Sequence, residues 1–176
     1  MARIPLLAPD DMGSEQREQY DRFPSNLTRA LLLADGRLAR ALPETANALR
    51  ASQLDPRTRE GVILRVAALR HSAYERMQHL EQASTVGWSE GQITAIEQGN
   101  RSALPPDFAI VLDVVDELVG AGDLTDATFA AARAALSDRD LVTTVLLVGH
   151  YLSVARLLTV LRIELDDAPD PWTAEH

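Results

Sequence analysis

The sequence predicts an all-α fold, and three observations carry that expectation. Apolar residues recur at spacings of three and four with no run alternating in the strand manner. Serine, threonine and aspartate stand immediately before several of these runs, where their oxygens can cap the first amides of a helix. Glycine and proline fall between the runs and rarely within them. The chain has 176 residues, enough for one domain with a real core and no disulfide or structural metal.

The elements follow in order. A first helix is predicted from Ser14 to Phe23, then a broken pair between Ser25 and Ser52 with Gly36 and Pro43 as interruptions. Asp55-Pro56 places a capping carboxylate before a proline at the first helical position, which starts a helix running to about Arg70. Ser72-Ala73-Tyr74-Glu75 has the spacing of a capping box and opens the next helix, which Gly87 closes. Ser89 to Gln92 repeats the device, and that helix ends at Gly99. Further helices are predicted over about 107–119, 125–136 and 138–165. Residues 1–52 read as an N-terminal helical extension, 53–165 as the core and 166–176 as a loose tail of a single domain.

Composition excludes whole classes of chemistry. Seventeen basic against 26 acidic residues give a net charge of -9, the wrong sign for nucleic acid or an anionic membrane surface. Every basic residue is arginine, so no lysine can form a Schiff base or serve a P-loop. Cysteine is absent, which removes thiol nucleophiles, redox disulfides and thiolate metal sites. The first residues lack the basic run and apolar stretch of a secretory signal, so a cytoplasmic protein is expected. Leu141 to Ile163 is apolar enough to suggest a membrane span, but His150, Arg156 and Arg162 are costly in hydrocarbon, and a buried helix of a soluble protein is the expectation.

Proton-transfer candidates are few: His71, His79, His150 and the terminal His176. On a continuous helix His71, Glu75 and His79 lie four apart on one face, close enough for imidazole and carboxylate to bond. The plainer reading makes Glu75 a helix cap and His79 a half-buried residue bonded to a carbonyl. No zincin order or other recognised ligand spacing occurs, so no metal is expected. Arg65, mid-helix among apolar residues, reads as one half of an internal ion pair, while Arg156 is an even choice between a carboxylate clamp and a structural role. Trp88 and Tyr151 read as core or interface aromatics.

The run Arg59-Glu60-Gly61-Val62-Ile63-Leu64-Arg65-Val66-Ala67-Ala68-Leu69, followed by Ser72-Ala73-Tyr74-Glu75-Arg76-Met77-Gln78-His79, resembles the signature of the carboxymuconolactone decarboxylase family, within the alkylhydroperoxidase-D-like superfamily. It departs from the family's cysteine-free branch at Arg76, where tryptophan is usual. Val148-Gly149-His150-Tyr151 and Ala155-Arg156-Leu157-Leu158 are similar to the family's closing helix, so the resemblance spans about Asp55 to Leu165. It implies an alkylhydroperoxidase-D-like helical bundle. In the superfamily's peroxidase branch a glutamate precedes C-x-x-C-x-x-x-H. Laid on this chain, the glutamate falls on Glu60, the cysteines on Ser72 and Glu75, and the histidine on His79. A hydroxyl and a carboxylate cannot pass through sulfenate and disulfide, so peroxidase activity is expected to be absent.

What the resemblance leaves is a proton relay of Glu60, Glu75 and His79. It implies a cofactor-independent lyase or decarboxylase acting on an unsaturated lactone or keto acid, with His79 as proton donor or acceptor, Glu75 as its partner or the direct base, and Glu60 orienting the imidazole. A buried carboxylate pair would raise at least one pKa. Ser72, Tyr74, His71, His150 and Arg156 are the candidate substrate contacts, and Tyr74, Ser72 or His150 could hydrogen-bond a developing enolate. An isomerase or cyclase using the same acid–base pair, and a non-catalytic helical oligomer that binds a small ligand, are the alternatives. The resemblance also implies a homo-oligomer, a trimer or hexamer, with the apolar helix beginning at Leu141 as a natural contact.

Overall fold

The computed structural model describes residues 2–166; the part of the expected tail beyond Asp166, including His176, lies outside the described residues. Among the described residues the only regular secondary structure is helical. The helices are α1 (Ser14–Arg22), α2 (Asn26–Leu31), α3 (Gly36–Arg50), α4 (Pro56–Leu69), α5 (Ala73–Thr85), α6 (Glu90–Gln98), α7 (Pro106–Gly120), α8 (Asp126–Ala135) and α9 (Asp138–Leu161).

The capping chemistry sets most of these starts. Asp55 accepts from the Thr58 amide at 2.9 Å ahead of Pro56, Ser89 and Gln92 form a reciprocal capping box, and the Ser137 hydroxyl accepts from the Asp140 amide. Two expectations fail. Pro43 does not interrupt α3, which runs through it on its exposed side, and the packing of α3 on α9 holds the helix across the lost backbone bond. Ser72 and Glu75 form no capping box: Ser72 makes no side-chain cap bond, and Glu75 is drawn inward instead.

Helix α4 is the centre of the bundle and packs against α5, α6, α7 and α9. Its residues from Glu60 to Ala67 are all buried, so the helix is nearly apolar around its whole circumference, as a helix enclosed by neighbours must be. Val62, Ile63, Leu64 and Val66 join Trp88, Ile96, Leu112, Val115 and Leu147 in the main core. Gly61 is what lets α7 approach: a Cβ there would run into the Phe108 ring and sit 3.2 Å from Trp88. Trp88 is a core aromatic as expected, 4.6 Å from Phe108 between ring centres, with its indole N–H donating to the Arg57 carbonyl.

Arg65 is the internal ion pair the sequence suggests. Its guanidinium grips Asp116 with two bonds of 2.6 and 3.0 Å and donates further to the carbonyls of Ile96 and Glu97. Asp116 also accepts from Arg101, which ties the loop after α6 to α7. A second, smaller core gathers Ala30, Tyr74, Val154, Leu158 and Ile163 where α2 meets the ends of α5 and α9.

Helix α9 differs from its expectation in one respect. Its inner face is covered by α3, α4, α7 and α8, but Val142, Leu146 and Val160 are more than half exposed and Val145 is 41% exposed. The described chain therefore covers one side of this apolar helix and leaves a stripe of large side chains in solvent.

Candidate active site

The site is built where α3, α4, α5 and α9 converge. His71 has a left-handed backbone, φ 52°, and separates α4 from α5, so the two helices fold back on each other. That turn removes His71 from the face shared by Glu75 and His79 and leaves it exposed. Antiparallel packing then brings Glu60, near the start of α4, against His79, in the middle of α5. Glu60 Oε2 and His79 Nδ1 are 2.8 Å apart, and Arg59 Nε donates to the other carboxylate oxygen at 2.9 Å.

Glu60 is only 1% exposed. Burial pushes its carboxyl upward, but the hydrogen bonds and charges of His79 and Arg59 outweigh that and hold it below the usual carboxylate value. An ionised carboxylate can only accept, so His79 Nδ1 carries the proton facing Glu60, and Nε2 is the ring nitrogen turned away from that bond. Tyr151 stacks edge-on against His79 at 5.1 Å and against His150 at 5.2 Å. Burial, then the fields of Glu60 and Glu75, push the Tyr151 phenol well above its ordinary value, so it stays protonated at any ordinary pH.

A partly enclosed cavity of about 40 Å³ opens beside this pair. Glu60, His79, Arg59 and Tyr151 line it together with Arg50 and apolar residues of α3, α4 and α9. The volume suits a water or a single carboxylate, far below the roughly 300–1,000 Å³ of a pocket that swallows a whole drug-sized ligand. Helix α3, read from sequence as part of an extension, thus supplies part of the cavity wall.

Glu75 is the surprise. It is 2% exposed, no hydrogen bond joins it to His79, and it does not line this cavity. Neither of its oxygens has a hydrogen-bond partner, and burial pushes its carboxyl up to about 8, with the Ser72 hydroxyl opposing only part of the shift. It is a neutral acid near pH 7, whereas the sequence spacing paired it with His79. The Ser72 hydroxyl is itself buried without a satisfied bond. The hydroxyl of Tyr74, a candidate substrate contact, donates to Asp166 and accepts from the Leu27 amide, tying α2 and the last described residue to α5. Arg156 lies exposed on α9, and Arg76 pairs with Glu97 at 2.5 Å. His150 is buried, and burial followed by the nearby His79 holds it below its ordinary value, so it is a neutral neighbour of Tyr151.

Arg50, Arg59 and Tyr151 are wall residues that the sequence reading did not select. Arg59 had a signal, since it adjoins Glu60 on the quoted motif. Arg50 and Tyr151 reach the cavity only through tertiary packing.

With this geometry in place, the family model named carboxymuconolactone decarboxylase matches residues 36–103. Over that segment the chain is similar to the carboxymuconolactone decarboxylase family. The matched segment begins earlier than the quoted motifs, taking in α3 with Arg50, and ends before α9, so His150 and Tyr151 fall outside it. No protein of curated function matches the sequence. Among solved structures the fold is similar to an uncharacterized peroxidase-related protein from Ralstonia eutropha described as an alkylhydroperoxidase AhpD core, with TM-score 0.80, 16% identity, 94% of this chain and 93% of that one covered. An uncharacterized peroxidase-related protein from a Silicibacter species gives TM-score 0.76 at 16% identity, covering 94% of this chain and 91% of the other. A protein of unknown function from Agrobacterium tumefaciens gives 0.68 at 20% identity over 73% of this chain and 90% of that one. These likenesses show that the alkylhydroperoxidase-D-like fold is shared.

Proposed function

We propose that this chain is a carboxymuconolactone decarboxylase-like, cofactor-independent acid–base enzyme, a lyase or decarboxylase on an unsaturated lactone or keto acid. The observation that carries the reading is the 2.8 Å contact between an ionised, buried Glu60 and His79 on the wall of a cavity, in a chain without sulfur nucleophiles. Glu60 fixes the tautomer and orientation of the ring, and His79 Nε2 exchanges a proton with substrate. In a decarboxylation His79 Nε2 takes the proton of the substrate's acid group, the bond between carbon and carboxylate breaks, its electrons flow into the substrate's own conjugated carbonyl, carbon dioxide leaves, and the imidazolium returns that proton to carbon. The conjugated carbonyl serves as the electron sink, so the reaction draws on no organic cofactor.

The peroxidase-related names of the neighbouring structures do not transfer, because the thiol chemistry of peroxide reduction has no residue to run on here. The cavity's small volume suits the reacting end of a substrate whose remainder lies toward the opening. We further propose a homo-oligomer, a trimer or hexamer, acting in the cytoplasm. The exposed cluster of Val142, Val145 and Leu146 near the start of α9 supports the assembly, since large apolar side chains grouped on one helix face are costly to leave in water.

The test is a panel of unsaturated lactone acids and keto acids, followed by release of carbon dioxide and by loss of conjugated absorbance. Turnover in the wild type that disappears in His79→Ala while the helical fold persists supports the proposal. Absorbance change without gas reassigns the chemistry to isomerisation or cyclisation, and no turnover on any member of the panel rejects the decarboxylase reading.

A further inference from the structure

Electrons that flow into a carbonyl put negative charge on its oxygen, and the Glu60–His79 pair handles only the proton. Charge developing on oxygen is best met by a donor already in place, because a group held there by the fold needs no reorganisation when the bond breaks. The cavity wall offers such a donor. Tyr151, from the middle of α9, lines the cavity together with Glu60, Ile63 and His79.

The polar groups around it are already bonded. His79 Nδ1 lies 2.8 Å from Glu60, Arg59 donates to the same acid and to the Arg50 carbonyl, and Arg50 Nη2 donates to the Gln82 side chain. Tyr151 differs, since among the described residues no hydrogen bond reaches its hydroxyl. That oxygen is not sealed off either, unlike the two oxygens of Glu75. A phenol that is neither paired nor enclosed turns its hydroxyl to open space, and on this wall the open space is the cavity. The ring has little freedom to look elsewhere: it stands edge-on at 84° to the imidazole of His79 and at 81° to that of His150. Burial and the acids Glu60 and Glu75 keep the proton on the phenol, so it is a donor and not a base.

We propose that the Tyr151 hydroxyl is the carbonyl-binding group of this cavity, donating to a ketone or lactone oxygen and, in the proposed reaction, to the enolate oxygen formed as carbon dioxide leaves. The enolate role rests on the proposed function, whereas the binding of a carbonyl needs no turnover. The phenol keeps its proton throughout: His79 takes the proton of the substrate's acid group and returns it to carbon, while the bond from Tyr151 strengthens as the oxygen gains charge. Of the residues that the sequence offers for this role, Tyr74 is bonded to Asp166, and neither it nor Ser72 nor His150 lines the cavity.

An unsubstituted butenolide is the probe, an unsaturated lactone with no acid group to lose. It is titrated into the full chain while its carbonyl stretch is followed by infrared spectroscopy, with dihydrofuran, the same ring without the carbonyl, as competitor. The expected result is a saturable shift of the band to lower frequency that is lost in Tyr151→Phe, unchanged in Tyr20→Phe on α1, and not displaced by dihydrofuran. On any acid of the panel that turns over, Tyr151→Phe should lower kcat on the order of 10²- to 10³-fold and change KM little, because the enolate oxygen accepts a stronger bond than the carbonyl does. A phenol that only packs the wall would move neither the band nor that ratio.

The absence of a saturable shift, a shift that persists in Tyr151→Phe, or equal binding of dihydrofuran overturns the proposal. The dihydrofuran comparison on the wild type decides the matter even where the Tyr151 variant does not fold. A shift lost in Tyr151→Phe, in a protein that turns over nothing on the panel, upholds the carbonyl site and rejects the enzyme reading. Turnover abolished by His79→Ala and left at full kcat by Tyr151→Phe upholds the enzyme and overturns the role of Tyr151.

Discussion

Glu60 and Glu75 are both almost completely buried, at 1% and 2% exposure, and they settle into opposite charge states. Around Glu60 two cationic or hydrogen-bonding groups converge, one on each oxygen, and the acid stays ionised. Around Glu75 no oxygen is met, and the proton stays on. Burial sets the cost of a charge, and partners decide whether the protein bears it. The surroundings of Glu60 and His79 are thus the charged side of this contrast, and those of Glu75 the neutral one.

Five substitutions bear on that contrast. The largest effect should come from the charged side. His79→Ala should lower turnover on the order of 10²- to 10⁴-fold, and Glu60→Gln should also lower it by releasing the ring's tautomer; full activity in both variants would mean that the pair does no proton transfer.

On the neutral side the readout is stability against pH. Glu75 titrates near 8 in the folded chain and near its ordinary 4.5 unfolded, so the native state holds the extra proton between those values. Its contribution is fully present below about 4.5 and is lost as pH rises through 8, amounting to a few kcal/mol. His150, held below 6.5, works in the other direction as pH falls, so the quantity to measure is the difference between wild type and Glu75→Gln in urea unfolding from pH 5 to 9. The variant should gain on the wild type as pH rises, and parallel curves would place Glu75 among ordinary ionised acids.

Arg59→Gln removes one of the two groups holding Glu60 down. Glu60 contributes stability that is present above about 4.5 and lost as pH falls through its lower folded value. The variant should therefore lose about 1–3 kcal/mol at neutral pH and begin to unfold at a higher pH on acidification, seen by circular dichroism. The smallest effect belongs to Ser72→Ala. The hydroxyl only opposes the Glu75 shift, so its removal should push that midpoint slightly further up and change stability by about 1 kcal/mol or less.

Much of this architecture could be read before any coordinates. Capping residues and prolines located α4, α6 and α9 because those signals act within one turn of the chain, and the family motif led to Glu60 and His79. What misled was periodicity carried across a break: the spacing of four from His71 through Glu75 to His79 presumes one helix, and the left-handed His71 ends that helix. The Ser72 to Glu75 box failed for a related reason, since a capping carboxylate must face the helix start and this one is pulled into the interior. Arg50 left no local trace, and Tyr151, though part of the quoted Val148 to Tyr151 run, read only as a core or interface aromatic, because their place on the wall depends on how α3 and α9 lie across α4.

The bare backbone at Gly61 has a consequence for the residue beside it. A methyl group there would strike the Phe108 ring, and α4 could make room only by shifting or by moving that aromatic aside. Glu60 rides on the same turn, so a displacement meant to accommodate one methyl would reach the carboxylate that aligns His79. The acid's depth is set next door, by an atom the chain omits.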